Sequence, residues 1–201
     1  MNIKRCLACA LVLLTLAGCA SVPPWQPPHI VAPAQWGGTP GDDSRGKKHT
    51  ISHITLHHGG VAFLRDKDPL QYLRNLQSWS RRDRQWIDIP YHYLIDLDGK
   101  IYAGRSIDFA GDTNTEYDPT GHALIVVLGN FDEVKPNALQ LDAVVDMMTM
   151  LAAKYQISPS KIGGHKDFSK QTVCPGKFLD VYLENGYFRE QVSARLAKTA
   201  Q

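Results

Sequence analysis

The chain has 201 residues, 22 Lys and Arg against 20 Asp and Glu, and a formal charge of +2. That length suits one domain behind a leader, and near-balanced charge without a basic run argues against a nucleic-acid partner. No stretch beyond the first residues is long and apolar enough to span a bilayer.

Lys4 and Arg5 precede an apolar run from Leu7 to Leu16, too short to cross a membrane and suited to the core of a secretory leader. The run ends in Leu16-Ala17-Gly18-Cys19, which resembles a bacterial lipoprotein cleavage site. The reading is a signal peptide over 1–18 and a lipid on the sulfur of Cys19, with unlipidated secretion as the alternative. Ala20 is compatible with outer-membrane sorting. The expected location is the bacterial cell envelope, lipid-anchored, on the periplasmic side of the outer membrane in a Gram-negative cell. Loss of the leader removes Lys4, Arg5 and no acid. The mature chain is then neutral, and membrane attachment comes from lipid rather than charge.

Residues 19–46 carry Pro23, Pro24, Pro27, Pro28, Pro33 and Pro40 among several glycines. This composition reads as an extended tether, about 80 Å at full stretch from roughly 3 Å per residue, and shorter where Trp25, Ile30, Val31 or Trp36 pack on the domain. The domain itself is expected over 47–198.

Ile51 to His57 alternates as a buried strand. Leu70, Leu73, Leu76 and Trp79 recur at helical spacing within 66–86, with Asp68-Pro69 as the start. Tyr91 to Leu97 and Lys100 to Ala103 form a hairpin about a two-residue Asp98-Gly99 turn. Residues 108–121 are polar and form a loop, either lining a saccharide groove or simply solvated. His122 to Leu128 is apolar throughout, as a central strand is. Asn137 to Tyr155 is an amphipathic helix, Ile162 a short strand, and Pro175 to Leu183 and Tyr187 to Leu196 are helices. The fold class is α/β: a single domain with a central mixed β-sheet flanked by helices.

Leader cleavage removes Cys6 and Cys9, and lipid occupies Cys19, so Cys174 is left as one thiol in an oxidising compartment. Such a thiol is buried and inert, paired with another chain, or a metal ligand. His165 stands nine residues before it, after Gly163-Gly164, and His57-His58 ends the first strand beside Gly59-Gly60. Two histidines and one cysteinate bind zinc and leave a fourth position open, as a catalytic site requires. Strand alternation sends His57 and His58 to opposite faces, and spacing alone does not choose between them. Asp167 either orients a ligand histidine or caps the following turn.

Ile54-Thr55-Leu56-His57-His58, the run Tyr91 to Arg105, Gly129-Asn130-Phe131, and Gly164-His165-Lys166-Asp167 through Cys174-Pro175-Gly176 together carry a resemblance. They resemble the zinc N-acetylmuramoyl-L-alanine amidases, which include amidase-type phage lysozymes and the peptidoglycan recognition proteins. The resemblance runs from about residue 50 to 183, with the blocks in the family's order. It implies the peptidoglycan recognition protein-like amidase fold, Zn2+ as cofactor, and His57, His165 and Cys174 as ligands. It implies Tyr91 as a catalytic residue beside the metal water, bonding that water or the developing oxyanion, Thr172 as a second donor near the substrate oxygen, and Arg105 at a family position. His122 and Asn114 join Arg105 as expected substrate contacts, with proton donation to the leaving amine or a structural role for His122 and an ion pair for Arg105 as the alternatives. Two departures stand out. The step from His165 to Cys174 is one residue longer than the family pattern. Val126 occupies the position where the cell-wall-recycling branch carries a glutamate base, so the chain resembles the tyrosine-using branch. The expected activity is hydrolysis of the bond between N-acetylmuramic acid and L-alanine in peptidoglycan or muropeptides, by a monomer. The alternative is a non-catalytic peptidoglycan-binding lipoprotein.

Overall fold

The structure is a computed structural model and describes residues 25–199. The leader, Cys19 and the first residues after it lie outside the described residues.

Six strands form one mixed sheet: β1 (Ile30–Val31), β2 (His53–His58), β3 (Tyr93–Ile95), β4 (Ile101–Ala103), β5 (His122–Val127) and β6 (Ile162–Gly164). Their order is β1-β4-β3-β5-β2-β6. β5 runs parallel to both β2 and β3, and β2 parallel to β6. β3 and β4 form the antiparallel hairpin, and β1 pairs parallel with β4. β2 and β5 therefore lie inside the sheet with both faces covered, which is why β5 reads as an unbroken apolar run.

The helices form two layers. Ile54, Leu56, Ile125 and Val127 face a core completed by α3 (Ala138–Tyr155), α4 (Lys177–Glu184) and α5 (Tyr187–Thr199). Leu94, Tyr102 and Val126 face the other way, toward α1 (Pro33–Trp36) and Leu73 of α2 (Pro69–Arg82). The caps sit where the sequence places them. The Asp68 carboxylate accepts the Leu70 amide at 2.9 Å ahead of Pro69. Asn137 and Gln140 form a reciprocal box that starts α3.

The β3–β4 turn is one residue longer than expected. The Asp96 amide donates to Lys100 O at 3.1 Å, leaving three residues in the loop, and Gly99 takes the left-handed conformation at φ +73°. The physical reason is the buried Asp96 carboxylate. One of its oxygens accepts the amides of Asp98 and Lys100, and the other accepts the Tyr102 hydroxyl.

From Trp25 on, the segment read as a tether is built into the domain. Ile30 and Val31 pair with Ile101 and Tyr102. Trp36 is 1% exposed and donates its indole N–H to Ala103 O at 2.8 Å, while Trp25 donates to Asp146 of α3 at 2.9 Å. These are the apolar residues that the sequence offered for packing; what composition does not name is the partner, a sheet edge far along the chain. Trp36→Ala is expected to cost about 3–5 kcal/mol, the usual figure for truncating a fully buried tryptophan. Urea denaturation checks it; a variant as stable as the parent would show that the segment is merely laid on the surface.

Candidate metal centre and substrate cleft

β2 sends Ile54 and Leu56 into the α3 core and Thr55 and His57 to the other face. His57 is 3% exposed at the C-terminal end of the strand. His58 points the other way, where its Nδ1 accepts the Phe131 amide at 3.3 Å. The structure thus separates the pair. His57 shares its surroundings with His165 and Cys174, and one nitrogen or sulfur from each of the three lies within 4.8 Å of the others. His58 contributes its backbone N–H, which donates to Cys174 Sγ at 3.3 Å.

β6 delivers His165 into a single 3-10 turn, His165–Asp167. The Asp167 carboxylate accepts the Gly164 amide at 2.8 Å, so it caps the turn rather than orienting a ligand histidine. Gly164 is required by contact: a Cβ there would lie 2.7 Å from Pro175 Cδ. The Lys166 amide donates to Cys174 O at 2.8 Å, tying the two ligand-bearing turns together. Thr172 Oγ1 accepts the Cys174 amide at 3.1 Å. Gly176 adopts φ +87° with the Phe131 backbone 2.7 Å from where a Cβ would stand. The loop between His165 and Cys174 is held by Glu116, which accepts Ser169 Oγ at 2.6 Å and the Lys170 amide at 2.8 Å.

Burial sets the charge of this group. It pushes His57 well below the ordinary histidine range, with the neighbouring His165 adding to the effect. Burial likewise lowers His165 to about 4, against the opposing pull of Glu116, and raises the Cys174 thiol to about 12. Two neutral imidazoles and a thiol suit a soft dication, which replaces the thiol proton on binding. His57 Nδ1 lies 3.6 Å from Cys174 Sγ. That matches the edge of about 3.6 Å that Zn–N and Zn–S bonds give in a tetrahedron. His57 Nε2 is buried without a hydrogen-bond partner. These residues fit a zinc ion.

A protein-family comparison matches residues 47–177 to the family described as N-acetylmuramoyl-L-alanine amidase. The chain belongs to the N-acetylmuramoyl-L-alanine amidase family. Peptidoglycan-recognition protein SD of Drosophila simulans is 32% identical over 162 residues, covering 77% of this chain and 84% of that protein. Peptidoglycan recognition protein 1 of Mus musculus is 29% identical, covering 91% and 98%. Among solved structures, Drosophila peptidoglycan recognition protein SD superposes with TM-score 0.70 at 30% identity, over 78% of this chain and 93% of that one. The N-acetylmuramoyl-L-alanine amidase LysC from Clostridium intestinale superposes with TM-score 0.62 at 25% identity, over 85% and 98%. The expected amidase fold is the observed one.

The donor cluster opens into a cleft of about 210 Å³ lined by Trp86, Tyr91, Thr113, Asn114, Thr115 and Thr172 as well as the three donors. The Tyr91 ring centroid lies 5.1 Å from that of His57. Its backbone is pinned by the Arg105 amide at 3.0 Å and by Gly104, where a Cβ would meet Tyr91 O at 2.5 Å. Asn114 stands exposed on the rim and accepts a hydrogen bond from Arg84. Val126 pairs with His57 across the ladder and is buried, an apolar wall with no acid or base function.

Two of the expected substrate contacts make structural bonds, the alternatives that the sequence also left open. Arg105 is 4% exposed, and its guanidinium donates to the carbonyls of Asp88, Ile89 and Ala110 and to the Asp112 carboxylate. Four of its five N–H groups staple the two loops that flank Tyr91, and the residue also lines a second cleft of about 380 Å³. His122 pairs with His53 at the opposite end of β2 from His57. It bonds Thr55 Oγ1 at 2.7 Å and stacks on the His53 ring at 4.8 Å. Its ring and that of His165 pack against the same Tyr117 ring, with centroids 5.4 and 5.0 Å away. His92 is a core residue as read: Nε2 meets Phe109 O and Nδ1 accepts the Leu124 amide, and burial lowers its pKa to about 3.

Trp86, Thr113, Thr115 and Glu116 escaped sequence reasoning. The threonines and the acid lie in a polar loop whose composition matches a solvated one. The clue was the repeated hydroxyl of Thr113-Asn114-Thr115, a spacing that lets one side chain bond the next.

Proposed function

We propose that this chain hydrolyses the amide between N-acetylmuramic acid and L-alanine in peptidoglycan or muropeptides, with zinc held by His57, His165 and Cys174. The observation that carries the reading is the convergence of these three donors at the mouth of a cleft with Tyr91 beside them. Bound there, zinc supplies Lewis acidity, which polarises the scissile carbonyl and acidifies the attacking water.

The chain's own residues do the rest. Burial, with the Cys174 sulfur adding to it, raises the Tyr91 pKa, so the phenol stays a hydrogen-bond donor at neutral pH. It donates to the oxygen that becomes negative as water adds to the carbonyl. Thr172 Oγ1 accepts from the Cys174 amide and keeps its own O–H free to donate into the cleft. The new C–O bond forms, the C–N bond breaks, and the departing L-alanine amine takes up a proton. A second cleft of about 380 Å³ shares Trp86, Asp112 and Thr113 with the first, which gives an extended substrate a continuous path.

Anchoring through a lipid on Cys19, in the cell envelope, belongs to the same proposal. So does action as a monomer.

The test uses residues 25–201, purified and assayed for bound zinc and for release of L-alanine-terminated peptides from muropeptides. One zinc per chain is expected, with release abolished by a chelator and restored by added zinc. Zinc without release would assign the cleft to binding alone. A folded chain that takes up no zinc would end the metal reading.

A further inference from the structure

We infer that Thr115 is the positioning residue that fixes His165 and decides which of its nitrogens meets the metal, an inference that rests on the zinc reading above. Thr115 Oγ1 lies 2.8 Å from His165 Nε2. A histidine on a metal uses one nitrogen for the bond and holds its proton on the other, where a neighbouring acceptor orients the ring. With Nε2 engaged by Thr115, Nδ1 is the nitrogen left for zinc. With Nδ1 on zinc, the proton sits on Nε2, and Thr115 accepts it.

Thr115 is itself held. Its amide donates to Thr113 Oγ1 at 3.1 Å, and its hydroxyl lies 2.8 Å from the same oxygen. The next residue, Glu116, grips Ser169 and Lys170 of the loop between the two ligands. The Tyr117 ring then packs against the face of His165, with centroids 5.0 Å apart. One short segment thus fixes the edge of the His165 ring through Thr115, its face through Tyr117, and the following loop through Glu116. Thr113 Oγ1 stands 3.5 Å from His165 Nε2, close enough to take over in part when Thr115 is lost.

The test measures zinc affinity by competition with a chromophoric chelator. Thr115→Val, which keeps the shape and removes the acceptor, is expected to weaken binding about 10-fold. Thr113→Val with Thr115→Val, which removes the reserve acceptor too, is expected to approach about 100-fold. Thr115→Ser keeps the oxygen and is expected to bind as the parent does. Nitrogen-detected NMR of the zinc-loaded parent adds a readout that needs no variant: His165 should carry its proton on Nε2. Zinc on Nε2 of the parent, or equal affinity in parent and double variant, would overturn the inference while leaving the zinc site standing. A parent that binds no zinc would overturn the zinc reading and this inference together.

Discussion

Cys174→Ser is expected to abolish zinc binding at stoichiometric metal and to lower muropeptide hydrolysis by more than about 10³-fold. Serine offers a hydroxyl that does not ionise near neutral pH, in place of a sulfur whose proton the metal can displace. The substitution is mild for the fold. The Cys174 sulfur is buried, accepts the His58 amide and lies beside His57 Nδ1, and a serine oxygen satisfies both neighbours. The zinc-free parent and variant should therefore melt within a few degrees of each other. Added zinc should raise the melting temperature of the parent alone, because a ligand at 100 times its dissociation constant stabilises by about 2.7 kcal/mol. A serine variant that hydrolyses as the parent does would remove Cys174 from the mechanism.

Tyr91→Phe is the second large effect and separates chemistry from metal binding. The ring packs on His57 and the backbone is pinned by Gly104 and the Arg105 amide, so phenylalanine keeps the geometry and loses only the hydroxyl. The expectation is a fall of about 10²–10³-fold in kcat with zinc stoichiometry unchanged, the usual loss for one oxyanion donor. Burial raises the Tyr91 pKa above the ordinary tyrosine value. The parent's phenol therefore stays protonated below that value, and the parent-to-variant ratio should be flat from pH 6 to pH 9. A variant with undiminished kcat would mean that the hydroxyl does not face the reacting carbonyl. A ratio that collapses toward high pH would mean that the phenol ionises there.

The long regular elements were legible because their periodicity is local. α2 and α3 announce themselves by apolar spacing and by Asp68 and Asn137 at their starts, and β5 by an unbroken apolar run. The docking of β1 was not legible, since its partner Ile101–Tyr102 lies some seventy residues away and nothing in a proline-rich segment names it. The donor set could be read as residue types, but the choice of His57 over His58 depends on which sheet face each reaches. Arg105 and His122 were left with two readings for a related reason. A sequence gives a side chain's chemistry but not its direction, and these two turn inward to carbonyls and to Thr55. Thr115 was invisible because a hydroxyl that supports a metal ligand and one that meets water are the same letter.

The docked N-terminal segment changes how far from its anchor this domain can work. On the proposal that Cys19 carries lipid, five residues, or six Cα-to-Cα steps, separate the anchor from the first docked side chain, Trp25. Fully stretched these span about 20 Å, a quarter of the length that the proline-rich composition suggests. Trp25 binds Asp146 on the α3 side of the sheet, and the cleft opens on the α2 side. The domain is then a close-held tool rather than a roaming one. On that proposal it would move with the membrane in two dimensions and meet only substrate within reach of this short link.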